Sequence, residues 1–197
     1  GKGSKGETKR WEWLKMSNGL NIGSLPEQIF APDTMEWEES QYAFLTGLLK
    51  REGGDTLTTD TGGLTKYGIS TKAHGKQGYD IANLTEAEAR TIYEEQYIPE
   101  AVNRIGKNNV TWKFVDMIVN MGWGNATSVL QESLGMERDG KFGPGTEKKI
   151  KQVIDAYGED EVISMLSEAQ LKYYKELQES DPEKYGAYKG WTEGPDA

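Results

Sequence analysis

The sequence predicts a mainly α-helical protein with a small β-hairpin set beside the end of one helix. Three observations lead there. Apolar residues recur at helical spacing through most of the 197-residue chain. Two short β-prone runs flank the Gly62-Gly63 pair, just after a Gly53-Gly54 pair that stops a helix. Capping residues also stand where helical patterns begin, as with Thr85 and Glu88.

Residues 1–35 show no lasting periodicity. They include Trp11 and Trp13, and read as an arm packed on the domain, a linker, or a docking peptide that uses its tryptophans. A helix is expected from about Glu36 to Arg51, capped by Asp33 or Thr34. The hairpin follows, then a polar connection over 71–83 in which His74 is expected to be an ordinary loop residue. Thr85 and Glu88 form a capping box; the helix they open carries Ala89, Ile92, Tyr93 and Tyr97 on its apolar side, and Pro99 is expected to end it.

Residues 112–124 read as an apolar helix interrupted by Asp116 and Asn120, one turn apart. Such a pair either satisfies itself or lines the floor of a polar cleft. Trp123, between Gly122 and Gly124, is a candidate for stacking on a sugar ring or for packing in the core. Asn125 is expected to cap a short helix that Gly135 ends. From Asp139 to Thr146 the residues predict a turn and a new helix, with Pro144 at its start and Thr146 as cap. Residues 147–157 and 159–179 read as amphipathic helices, the second burying Val162, Ile163, Leu166, Ala169, Tyr173 and Leu177.

The chemistry of this chain concentrates at residues 52–70. Leu45, Leu48 and Glu52 share one helix face, and a carboxyl held against an apolar wall resists ionisation and can donate a proton. Asp60, in a Thr-rich and solvated run, is expected to stay ionised. One protonated and one ionised carboxyl facing each other is what cleavage of a glycosidic bond requires, and Thr65 adds a hydroxyl to hold a water. A helix stop followed by a Gly-rich turn with incidental acids accounts for the same residues.

Composition narrows the classes. The chain has no Cys and a single His, so thiolate and His-based metal sites are excluded, and acid–base hydrolysis implies no cofactor. A net charge of −9 argues against nucleic acid as partner. No apolar run is long enough to span a membrane, and the first residues lack the shape of a signal peptide.

The run Glu52-Gly-Gly, then Asp60-x-Gly-Gly-x-Thr65-Lys-Tyr67-Gly-Ile-Ser70, resembles the signature of the glycosyl hydrolase 108 family, peptidoglycan-cleaving lysozymes of phages and bacteria. Its Glu, Asp, Thr order is similar to that of phage-type lysozymes. Phe114-Val-Asp116 through Asn120 resembles a family segment behind the active site, and residues 129–146 resemble a peptidoglycan-binding region. The resemblance implies a lysozyme-like α+β fold and N-acetylmuramidase activity with inversion. It implies Glu52 as general acid, Asp60 and Thr65 positioning the water, and Tyr67, Tyr93, Tyr97, Asp116, Asn120 and Trp123 binding substrate.

It further implies a catalytic part at 36–110 and a wall-binding helical part at 111–197, packed as one unit. Peptidoglycan is the implied partner, met in the periplasm or on the cell wall, and the arm at 1–35 is a candidate link to a phage virion or tail component. The pattern departs in places. The Glu-to-Asp interval is one residue short, and Asp55 stands where the family has Tyr, making it a rival second carboxylate. The family's Trp after Tyr97 and an Arg near Trp191 are absent. These departures keep open a non-catalytic wall-binding or structural module.

Overall fold

The computed structural model describes residues 37–51, 55–60, 63–74 and 77–185. Asp33, Thr34, Glu52 and the closing Gly190-Trp191 pair therefore lie outside the described residues. Two compact units emerge, 37–123 and 124–185.

In the first unit, helix α1 (Trp37–Arg51) buries Leu45, Leu48 and Leu49. Glu38 and Glu39 lie in its first turn and Lys50 and Arg51 in its last, the order the helix dipole favours. An antiparallel sheet follows in the order β1 (Thr58–Asp60), β2 (Gly63–Lys66), β3 (Ile69–Ser70). The expected hairpin is β1–β2. The third strand pairs Lys66 with Ile69, whose side chain is fully buried, so core burial recruits a run too short to register as a strand in the sequence. A four-residue helix α2 (Thr71–His74) and a 3₁₀ turn (Ile81–Asn83) lead to α3 (Glu86–Ile92). The capping box is formed: the Thr85 hydroxyl accepts from the Glu88 N–H at 3.2 Å, and the Thr85 N–H donates to the Glu88 carboxylate at 2.8 Å.

Pro99 does not stop this helix. A π-helical turn (Tyr93–Tyr97) follows α3, and α4 (Ile98–Ile105) continues with Pro99 in its first turn. Proline has no N–H to give to Glu95 and its ring crowds that carbonyl. The wider turn, in which the Ile98 N–H donates to the Tyr93 carbonyl, carries the chain past the conflict. Helix α5 (Asn109–Ser133) is interrupted at Gly122, whose φ of 79° and ψ of 160° are not helical. The break thus falls at the residue free to adopt that conformation, and Asn125 lies inside the helix rather than capping it.

In the second unit, α5 ends as expected at Gly135, with φ 66°. The Met136 N–H donates to the Gln131 carbonyl at 2.8 Å and the Gly135 N–H to Glu132 at 3.0 Å, a Schellman ending. Helix α6 (Pro144–Tyr157) starts with proline in its first turn and no side-chain cap. Thr146 is buried and its hydroxyl accepts from the Gln131 amide at 3.3 Å, so it anchors the turn instead of capping the helix. Helix α7 (Glu159–Ser180) buries the row Val162, Leu166, Gln170, Tyr174. Tyr174 takes the core position expected of Tyr173, because burial follows i,i+4 spacing from Leu166, and Gln170 donates to its hydroxyl at 3.1 Å. Helix α8 (Pro182–Tyr185) closes the described chain.

Candidate active site

Helix α1 delivers the chain to Arg51, the residue before Glu52. Asp55 is exposed beyond it. Across β1 and β2 the register pairs Thr58 with Thr65 and Asp60 with Gly63, and Thr65 pairs with Ser70 on the other side. Side-chain direction alternates along a strand and matches across a pair, so positions 58, 60, 63, 65 and 70 share one face of the sheet. The structure therefore brings positions 60 and 65 together. The Thr71 hydroxyl donates to the Leu64 carbonyl at 3.1 Å, tying β2 to the following helix.

Tyr67 and Gly68 form the turn between β2 and β3. Tyr67 is buried, and burial raises its hydroxyl pKa, with the charges of Asp55 and then Glu86 adding to the effect. Tyr93 is wholly buried, and its hydroxyl donates to the Tyr67 carbonyl at 2.8 Å, so it braces this turn. The Tyr97 ring packs on Tyr93 at 5.0 Å between centroids and stacks on His74 at 5.7 Å. Burial pushes the Tyr97 hydroxyl up to about 12, so it remains protonated at neutral pH. Burial lowers the His74 pKa, the Ser70 backbone opposing it less strongly. The Tyr97 hydroxyl and His74 Nε2 lie 3.2 Å apart, a hydrogen bond whose donor depends on the ring tautomer.

His74 is thus not an ordinary loop residue, since it closes the α2 helix with only 4% exposure and fixes Tyr97. A polar neighbourhood hid its burial from sequence reading.

Asp116, on α5, is buried, and its Oδ1 accepts from Arg51 at 2.9 Å. Asn120, exposed, donates its amide to the Asp116 carbonyl at 2.8 Å and to Oδ2 at 3.3 Å. These two residues satisfy one another, one of the two readings their spacing allowed. Lys113, buried beside them, has its pKa lowered to about 8, chiefly by burial. Neither Arg51 nor Lys113 was singled out from sequence, because a cation at a helix end or inside an apolar run acquires its partner only through folding. Trp123 is half-buried and meets Phe114 edge-on at 5.8 Å.

Among the described residues no group of His, Cys, Asp or Glu could hold a metal ion, and no helix is long and apolar enough to cross a membrane.

This mainly helical architecture with a three-stranded antiparallel sheet is a lysozyme-like α+β fold. Residues 45–122 match the model of the family described as glycosyl hydrolase 108, and residues 125–194 match that of the predicted peptidoglycan domain. Residues 45–122 are thus a glycosyl hydrolase 108 segment, and the predicted peptidoglycan domain follows it in the chain. The two matched segments make it a glycoside hydrolase acting on peptidoglycan. Among solved structures the fold is similar to Brucella abortus SagA, at 20% identity and a TM-score of 0.56, covering 77% of this chain and 90% of that one. No curated protein sequence matches the chain.

Proposed function

We propose that the protein is an N-acetylmuramidase that hydrolyses the β-1,4 bond between N-acetylmuramic acid and N-acetylglucosamine. Glu52 protonates the leaving oxygen as the glycosidic bond breaks. Asp60 takes a proton from a water that Thr65 helps to hold, and the water attacks the anomeric carbon from the opposite face. The product has inverted configuration. Tyr97, Asn120 and Trp123, each at least partly exposed, contact sugar rings, while Tyr67, Tyr93 and Asp116 shape the site from beneath.

The observation that supports this reading most is the sheet register, which sets positions 60 and 65 on one face shortly after the chain leaves α1. Catalysis is assigned to the first unit, with the first half of α5 behind it, and wall binding to the second. Residues 1–35 are proposed as a docking arm, with a phage virion or tail as one carrier; a chain lacking them should hydrolyse free walls at the full rate.

The test is turbidity clearing of purified peptidoglycan by the wild type and by Glu52→Gln, with released sugars identified by mass spectrometry. Clearing by the wild type alone, with new muramic acid reducing ends, supports the proposal. Retention of the wall without clearing by either protein would favour the non-catalytic module. Equal clearing by both would mean another residue is the acid. A retained anomer in the first product would rule out inversion.

A further inference from the structure

Among the described residues Tyr67 is the only non-glycine with a left-handed backbone, at φ 52°. An aromatic side chain rarely adopts this conformation and keeps it only where its surroundings hold it. Here the hold is visible. The Tyr93 hydroxyl donates to the Tyr67 carbonyl at 2.8 Å, and the two residues are 0% and 6% exposed, so no water competes for that bond. Tyr93 is itself fixed from behind, because it begins the π-helical turn and its own carbonyl accepts the Ile98 N–H. Turns of this kind inside helices occur often at functional sites.

Two residues before Tyr67, on β2, is Thr65, paired with Thr58 and Ser70. We propose that Tyr93 is a positioning residue for the active site: its hydroxyl holds Tyr67 in the left-handed turn, and that turn sets the strand presenting Thr65. The functional half of this inference rests on the reading of Thr65 as a water-holding group. Without the hydroxyl, Tyr67 relaxes towards negative φ. The short β2–β3 pairing at Thr65–Ser70 and Lys66–Ile69 then shifts with it.

The experiment is a double-mutant cycle of Tyr93→Phe and Tyr67→Gly, read as kcat and KM on a soluble glycan oligomer cut from peptidoglycan. Glycine adopts the left-handed turn without help, so it removes the need for the tether. Tyr93→Phe should lower kcat about tenfold while KM stays within about twofold, as expected for a misplaced group rather than a lost contact. In the Tyr67→Gly background the same substitution should change kcat less than about twofold.

Tyr174→Phe, which removes a buried hydroxyl partner of Gln170 in the other unit, should lower the melting temperature by a few degrees and leave kcat unchanged. A Tyr93→Phe kcat within about twofold of wild type, a loss confined to KM, or losses that multiply in the double variant would each overturn the proposal. Should Tyr93→Phe alone fail to fold, comparing the double variant with Tyr67→Gly decides the matter in the same way. A Glu52→Gln variant with wild-type kcat would overturn the assignment of the acid but not the coupling, which the cycle reads from whatever hydrolysis the chain performs. Absence of any hydrolysis by the wild type would overturn both.

Discussion

Arg51 donates to Asp116 at 2.9 Å across 65 residues of sequence, joining the last turn of α1 to the middle of α5's first half. The side chains are only 16% and 7% exposed, so the attraction is weakly screened. Removing Asp116 takes a buried counter-charge from Arg51 and from the neighbouring Lys113, which costs more than the pair itself contributes. Asp116→Ala should therefore destabilise the first unit by about 3 kcal/mol. Asp116→Asn, which keeps the bond to Asn120, should cost less. Chemical denaturation of the two variants measures this; equal stability to wild type would mean the ion pair is incidental.

Lys113 gives the pH dependence of stability a specific sign. Its pKa is lowered to about 8 in the folded state, by burial first, with Arg51 adding and Asp116 opposing. An unfolded lysine titrates near 10.4. Between those values the unfolded chain binds the proton that the folded chain has released, so this residue makes stability rise with pH from about 8 to about 10.4. Below about 8 both states are charged and the burial penalty is fully present, on the order of 3 kcal/mol. Lys113→Met should flatten the profile in that window, as seen by denaturant melts at several pH values.

His74 acts at the other end of the scale. Burial lowers its pKa, so as pH falls below the ordinary histidine value of about 6.5 the unfolded state gains a proton that the folded state resists. Stability should decline through that range, and His74→Asn should remove part of the decline. The same variant should loosen Tyr97, whose hydroxyl is hydrogen-bonded to the ring, and raise KM more than it lowers kcat. An unchanged KM would argue that Tyr97 does not meet substrate.

The rivalry between Asp55 and Asp60 is open to a direct comparison. Asp60 closes β1 opposite Gly63, on the face that position 65 shares, whereas Asp55 is exposed before the strand begins. Asp60→Asn should reduce kcat by about a hundredfold or more, the usual range for losing a general base, and Asp55→Asn by less than about tenfold. The opposite order would make Asp55 the second carboxylate.

Gln131 organises the second unit. Its amide donates to Asp139 at 2.6 Å, to the Lys141 carbonyl at 3.2 Å and to Thr146 at 3.3 Å, while its carbonyl accepts the Gly140 N–H at 3.0 Å. Gln131→Ala should cost about 2 kcal/mol through the groups left unpaired. It should weaken retention on insoluble walls while sparing hydrolysis of short soluble glycans. Loss of both activities together would mean the two units do not work separately.

Much of this protein was settled locally, before any tertiary contact. The span of α1 and the Thr85–Glu88 capping box depend on residues within a few positions of one another, as does the stop at Gly135, and all were legible in the sequence. The mainly helical pattern followed from the same periodicities, and the likeness to glycosyl hydrolase 108 from the spaced run between Glu52 and Ser70.

Tertiary structure decided the rest, because the deciding partner is distant in sequence. A π turn carries α3 and α4 past Pro99, and a buried Ile69 recruits a third strand. His74 becomes a core residue by meeting Tyr97, and Tyr67 keeps an unfavourable backbone because Tyr93 reaches it across 26 residues. Such contacts owe their strength to burial, which no single segment possesses until the chain has folded around it.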